Sequence, residues 1–171
     1  MKDNMRIRGS VVVELFDAEG NLKQREEDHN IVTDQGDILF ASLAYTAAPT
    51  FNMKLGTAAT VASKTKANNG AFISSAGSAD YVSGTQQAMD ATYPKAGTST
   101  PGSGSQVVFK VTYAAGTGTA TIQRASLCNS TETTSCADGT LTYAIAVLSS
   151  SVVKTAADSL AVTWTITMLG A

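Results

Sequence analysis

The residues that could perform catalysis are few and scattered. His29 is the only histidine, and it stands between Asp28 and Asn30 at the end of a charged segment. A catalytic base needs a positioned nucleophile and an orienting partner, and no spacing of that kind occurs. The carboxylates are dispersed through predicted loops and single out no pair for glycoside hydrolysis: Asp80, Asp90, Glu132, Asp138 and Asp158. We therefore expect that the protein is not an enzyme.

Sequence motifs for metals and cofactors are missing as well. Asp80 and Asp90 are too far apart for one calcium-binding loop, and the single histidine leaves a zinc site short of ligands. None of the glycines forms a phosphate-binding loop or a dinucleotide fingerprint. We expect no metal and no cofactor.

The two cysteines, Cys128 and Cys136, flank a polar loop between two predicted strands. Their placement at the mouth of a hairpin would bring the two Cα atoms within disulfide range. The sequence is equally compatible with a loop-closing disulfide and with two free thiols.

The composition indicates one domain and argues against two classes of partner. The chain has 171 residues, a net charge of −2 and only 15% charged residues, against about 25% in soluble domains. It carries no dense basic face for nucleic acid and no apolar run long enough for a membrane-spanning helix. Since a weakly charged surface resists association poorly, we expect contacts with a partner or with other copies of the chain. The alternative is a secreted or thermally robust β-protein with a neutral coat of Ser and Thr. No apolar signal segment opens the chain, so we expect folding in the cytoplasm.

Large apolar residues alternate with small polar ones in most of the chain, which predicts β-strands. The clearest case is Ser159–Met168, and similar strands recur with regular turn signals, which favours an antiparallel β-sandwich or jelly roll. A second strand, from Leu22 to His29, is charged enough for an exposed edge. The predicted core residues are Phe109, Tyr143, Ile145, Val162, Trp164 and Ile166, with Trp164, Phe109, Tyr143 and Ile145 in one layer.

One short helix is predicted at residues 33–45. Thr33 or Asp34 would cap it, and Ile38, Leu39 and Leu43 would form its apolar stripe.

Two segments look unable to order alone and are therefore candidate partner contacts. The first is an N-terminal arm at residues 1–8, with Met1, Lys2, Met5, Arg6 and Arg8 as contact residues. The second is a loosely structured Gly/Ser/Thr-rich insertion at about 57–105, in which Tyr81, Met89 and Tyr93 are the few anchors and 95–105 has the composition of a linker.

Three stretches together resemble a group of small structural proteins of tailed-bacteriophage virions, which includes capsid cement (decoration) proteins and related tail components. They are Asn30–Gly36 leading into the helix, Met53–Thr57, and Lys154–Thr167; a charged hairpin precedes the first of them, and a Gly/Thr-rich hairpin precedes the last. The resemblance covers both ends of the chain but not its middle, and Cys128 and Cys136 stand where similar sequences usually have a shorter, Gly-rich turn. It implies a non-enzymatic, symmetric-oligomeric β-sandwich.

The main functional hypothesis is a cement protein in the virion, assembled in the host cytoplasm. Its partners would be the major capsid protein and copies of itself. A tail, fibre or head–tail component is one alternative. A carbohydrate-binding β-sandwich module, which would need exposed aromatic side chains in a row, is an alternative from another class.

Overall fold

The computed structural model describes residues 6–43, 50–57, 65–67, 73, 80–100, 104–129 and 142–169. Within them the chain is mainly β, with two antiparallel five-stranded sheets and one short helix. The prediction of a β-sandwich is confirmed, whereas the jelly-roll arrangement is not confirmed and stays a prediction. In chain order the elements are β1 (Arg6–Phe16), β2 (Leu22–His29), β3 (Ile31–Val32), α1 (Asp34–Ser42), β4 (Phe51–Thr57), β5 (Gln87–Ala88), β6 (Lys95–Thr100), β7 (Gly104–Tyr113), β8 (Ala120–Asn129), β9 (Thr142–Lys154) and β10 (Ser159–Leu169).

The first sheet has the order β2-β1-β10-β7-β6, and the second has the order β3-β9-β8-β4-β5. In the centre of the first sheet, Trp164 on β10 lies between Val11 on β1 and Phe109 on β7. All three side chains are buried, as the alternating pattern of these strands requires for the inner face of a sheet. Aromatic contact joins the two sheets, because the Phe51 ring lies 4.8 Å from the Phe109 ring in an edge-on arrangement.

The six predicted core residues are all buried, but Ile145 is not in the layer expected for it. Ala144 and Ala146 face the other sheet, while Ile145 lies on the outer face of β9 and packs against Ile73 from the middle stretch. The prediction of one layer containing Trp164 and Ile145 is therefore wrong. Because both faces of β9 are covered, hydrophobicity alone does not identify its inner face.

The helix is shorter than predicted, and residues 44 and 45 lie outside the described residues. Thr33 is its N-cap, since the Thr33 hydroxyl accepts a hydrogen bond from Gly36 N–H at 3.0 Å. Leu39 and Phe40 face the core, but Ile38 is 61% exposed, so its place in the apolar stripe was predicted wrongly. A nine-residue helix that rests on one sheet edge buries only a narrow stripe.

The middle stretch contains regular structure where its composition suggested a linker. Lys95–Thr100 is strand β6, paired with β7, and it follows a cis bond between Tyr93 and Pro94. Further back, Ile73 and Tyr81 lie on the outer face of the second sheet, where Gly56 forms an isolated β-bridge with Tyr81. These residues are thus ordered by lying on the chain's own sheet.

The edges of the two sheets are protected to different degrees. On β2 the exposed side chains include Lys23, Arg25 and Glu27, as predicted for a charged edge. Asp28 of the same strand accepts hydrogen bonds from the backbone and hydroxyl of Ser149, both at 2.7 Å, in a bulge of β9. β3 and β5 have only two residues each. In the described part of the chain, the six-residue strand β6 is therefore the longest edge strand that lacks a row of charged side chains like that of β2.

Candidate functional site

The candidate site lies where β1 continues past the end of β2. β1 pairs with β10 from Arg6 onward, but its pairing with β2 begins only at Ser10, opposite His29. Asn30 N–H donates the last hydrogen bond to Gly9 C=O, at 3.2 Å, and the chain then crosses to the second sheet as β3. Among the described residues, the first positions of β1 consequently have a neighbouring strand on one side only.

The backbone of Ile7 faces this open side. Gly9 C=O points towards β2, and residues two apart in a strand direct their polar groups to the same side. Ile7 N–H and C=O therefore point away from β10, and no backbone hydrogen bond from the described residues meets them there. They form a short open edge of the kind to which a further strand can pair.

Asn30 stands beside this edge with an unsatisfied side chain. It is 9% exposed, and neither its amide nitrogen nor its amide oxygen has a hydrogen-bond partner among the described residues. The amide lies directly over Gly9, where an added Cβ would come within 1.9 Å of Asn30 Oδ1. Because an unpaired buried polar group costs about 1–3 kcal/mol, a buried amide without a partner is a feature that requires an explanation.

A pocket of 330 Å³ opens at the same place, lined by Ile7, Arg8, Gly9, His29 and Asn30. Ile7 and Gly9 belong to the inner face of the sheet, whereas Arg8 belongs to its outer face, since β1 buries its odd-numbered positions. Arg8 is exposed and has no ion-pair partner among the residues described. The site thus combines open backbone groups, an unsatisfied amide and a positive charge.

The predicted N-terminal arm contributes directly to this site. Met1, Lys2 and Met5 lie outside the described residues, and Arg6 is the first residue of β1. Of the five contact residues predicted in the arm, Arg8 is the one whose side chain the structure describes, and it lies at the pocket. Asn30 was missed as a site residue, because an Asn after a charged strand is typical of any turn and nothing in the sequence shows that its amide is buried.

The two predicted tyrosine contacts have different surroundings. Tyr93 lines a second pocket of 150 Å³ with Phe51, Met89 and Pro94, and the Lys95 ammonium lies 4.6 Å from its ring centroid. Tyr81 instead packs on the second sheet, with the Lys54 ammonium 4.9 Å from its ring and its hydroxyl accepting a hydrogen bond from Gln86 N–H. The structure does not bring the two tyrosines to the β1 edge.

Buried cations fix the middle stretch to the outer face of the second sheet. Lys54 is fully buried and donates to Ile73 C=O at 3.1 Å, and Arg124 Nη2 lies 3.4 Å from a carboxylate oxygen of Asp80. Burial lowers the pKa of Lys54 to about 8 against the opposing effect of Asp80, and it lowers the pKa of Arg124 in the same way. Period-two alternation of Phe51, Met53 and Leu55 marks Lys54 as solvent-facing, since it cannot show that the outer face is covered.

A second polar cluster fixes the turn between β9 and β10. The buried Asp158 carboxylate accepts hydrogen bonds from Lys23 at 2.7 Å and from the Thr155 hydroxyl at 2.7 Å. These bonds, with the Lys23 contact the largest, lower the pKa of Asp158 to about 2. Lys154 in turn donates to Ala114 C=O at 3.1 Å, which ties the turn between β7 and β8 to the same end of the sandwich. Both clusters hold neighbouring segments together.

The described residues contain no group of three or more metal-ligating side chains and no helix long and apolar enough to cross a membrane. Cys128 is disulfide-bonded, while Cys136, the only other cysteine in the sequence, lies outside the described residues.

His29 is exposed at the end of β2, and the structure places Asp80, Asp90 and Asp158 in three separate environments. Glu132 and Asp138 are not among the described residues.

Comparison of the chain with protein-family models, with curated proteins and with solved structures found no match.

Proposed function

We propose that this protein is a non-enzymatic structural component of a tailed-bacteriophage virion, namely a capsid cement protein. It would bind the outer capsid surface in many copies and stabilise the contacts between neighbouring capsomers. Its partners would be the major capsid protein and other copies of itself. The resemblance in Asn30–Gly36, Met53–Thr57 and Lys154–Thr167 supports this proposal, and the β-sandwich architecture is consistent with it.

The observation that carries the proposal is the open edge of β1 at the end of the N-terminal arm. A cement protein stabilises a capsid by burying complementary surface at its contacts, so it needs a rigid body and a segment that engages the partner. The clusters around Asp158 and Arg124 supply rigidity by tying loops to the sheets. The edge at Ile7 and the exposed Arg8 lie where the arm meets this rigid body.

The direct test is binding to phage capsids from which this protein has been stripped. The purified protein is titrated onto the particles, and the bound copies are counted by gel densitometry. We expect saturation at hundreds of copies per particle and an increased melting temperature of the capsid. No binding, or a count of a dozen or fewer, would refute a cement role.

A truncation tests the arm in the same assay. Deleting Met1 to Met5 should weaken capsid occupancy, because the proposal makes these residues part of the capsid contact. A control with residues 2–5 in scrambled order separates a requirement for these side chains from a requirement for length. Unchanged occupancy after the deletion would remove the arm from the proposal.

A tail or fibre component is the second candidate, and the β6 edge is the observation that favours it. Lys95–Thr100 is an edge strand with a single charged residue, and that ammonium is held over the Tyr93 ring. Unprotected edges of this kind allow strand pairing between copies. This candidate predicts threefold or sixfold self-association without any capsid, which analytical ultracentrifugation would show.

The carbohydrate-binding alternative gains no support from the only tryptophan. Trp164 is fully buried between Val11 and Phe109, so it cannot stack on a sugar ring at the surface. If the module existed, Trp164 emission would respond to added oligosaccharides. We expect no response.

A further inference from the structure

We propose that the open edge of β1 at Ile7–Gly9 binds an extended, acidic peptide segment of a partner protein by strand addition. The inference rests on the proposed function, because it names the surface and the chemistry by which this protein would hold its partner. The segment would continue the line of β2 beyond His29 and pair with the backbone of Ile7.

The backbone geometry defines the mode of binding. Ile7 directs its N–H and C=O away from β10, and β2 ends at His29, three residues before the position opposite Ile7. Paired strands lie about 4.8 Å apart, so an added strand would enter the 330 Å³ pocket beside Ile7, Gly9 and Asn30. Main-chain hydrogen bonds would supply affinity, as they do where other domains capture peptides at a sheet edge.

The unsatisfied amide of Asn30 explains why the occupant should be a peptide. An Asn side chain presents a C=O acceptor and N–H donors, the same kinds of group as the C=O and N–H of a peptide unit. Asn30 holds these groups next to the open backbone, nine-tenths buried and without a hydrogen-bond partner in the part of the chain that the structure describes. A peptide bond entering the pocket can pair with both, after a rotation about the terminal torsion of Asn30, which is soft.

The positive charge of Arg8 favours acidic side chains in the bound segment. Arg8 lies on the outer face of the sheet without an ion-pair partner in the described part of the chain. The residue of the added strand opposite Arg8 would place its side chain about 5 Å away on the same face. An acidic residue there gains an ion pair, and a basic one is repelled. Half-buried Ile7, on the inner face, favours apolar residues at the alternate positions.

The probe for a direct test is a set of synthetic peptides of about nine residues, long enough to cross the edge as a strand. One alternates Val with Glu, and two controls alternate Val with Gln or with Lys. Binding to the isotope-labelled full chain is followed by NMR chemical shifts and amide exchange. We expect shifts confined to residues 7–9 and 29–31, slower exchange of the Ile7 amide at saturation, and affinity in the order Glu, Gln, Lys.

Two variants test the named side chains. Arg8→Glu should weaken binding of the acidic peptide about fivefold and improve binding of the basic one, since an exposed pair contributes little more than this. The control Lys110→Glu makes the same charge change on the outer face of β7 and should leave affinity within about twofold. Asn30→Ala should weaken the binding of all three peptides about fivefold while leaving the melting temperature unchanged or higher, because the Asn30 side chain makes no hydrogen bond to the described residues.

The outcomes separate this inference from the proposed function. Shifts elsewhere, equal affinity for acidic and basic peptides, or no binding at millimolar peptide would overturn strand addition at β1. If stripped capsids bind the wild type but occupancy is unaffected by Arg8→Glu and Asn30→Ala, the cement role stands and the edge inference fails. If the acidic peptide binds at Ile7 and the capsids do not bind, the edge inference stands and the cement role fails.

Discussion

Replacement of the buried Lys54 by Met should change how the stability of the protein depends on pH. Lys54 is fully buried, and its pKa is lowered from 10.5 to about 8 in the folded chain. The unfolded state therefore binds the proton more tightly than the folded state between pH 8 and 10.5. The free energy of unfolding must rise with pH across this range and is independent of this group below it.

The magnitude follows from the difference between the two pKa values. A difference of about 2.5 corresponds to about 3.4 kcal/mol, and screening by the polar surroundings reduces the expected effect to about 2 kcal/mol. The Lys54→Met variant should lack this rise. At pH 7 its stability should lie within about 1 kcal/mol of the wild type, because a buried charge is exchanged for a side chain of similar shape.

The assay is urea unfolding followed by circular dichroism between pH 7 and 10. With a slope of about 2 kcal/mol per molar urea, the difference in midpoint between wild type and Lys54→Met should change by up to about 1 M over this range. Lys110→Met is the control, since Lys110 is partly exposed on the other sheet and should leave the pH dependence as it is. A constant difference between wild type and Lys54→Met would refute the assignment of a lowered pKa to this lysine.

Three further predictions concern other parts of the sandwich. Because the pKa of Asp158 is lowered to about 2, the hydrogen bonds of its carboxylate stabilise the protein above about pH 4 and are lost as the pH falls towards about 2. Asp158→Asn should therefore flatten the curve of unfolding against pH in that range. An unchanged curve would contradict the contact with Lys23. Trp164 should show blue-shifted fluorescence that is protected from quenching by acrylamide, whereas red-shifted, quencher-accessible emission would place the indole at the surface. Trp164→Ala should lower the free energy of unfolding, measured in urea, by about 3–5 kcal/mol. Ile38→Glu should change the free energy of unfolding by less than about 0.5 kcal/mol, whereas Leu39→Ala should lower it by about 2–4 kcal/mol. Equal effects of the two substitutions would mean that the helix is rotated from its observed orientation.

Much of the sandwich could be predicted because its local signals agree with its tertiary structure. Ser159–Met168 alternates without interruption, and the corresponding strand β10 lies in the centre of the first sheet with Trp164 facing inward. The Thr33 cap and the charged edge of β2 were likewise readable, since each satisfies a local rule of chain geometry. The predictions went wrong at Ile38, Ile145 and Lys95–Thr100, where packing on a neighbouring segment decides the conformation or the buried face.

The candidate site was only partly accessible from the sequence. Arg8 was singled out because it belongs to the N-terminal arm, whose composition suggested that it could not order alone. Asn30 and the backbone of Ile7 were not, because their significance depends on where β2 ends relative to β1. Register between strands is a relation between distant segments, and side-chain alternation within one strand does not contain it.

By itself, the sequence determined the class of structure: period-two alternation of apolar and small polar residues commits the chain to strands that must bury one face, and the two faces together make a sandwich. The tertiary structure alone decided which outer face is covered, which polar groups are buried and which edge stays open. Lys54 and Asn30 show the physical reason. Their local sequence resembles that of solvated residues, and only the segments packed over them, distant in the chain, remove them from water.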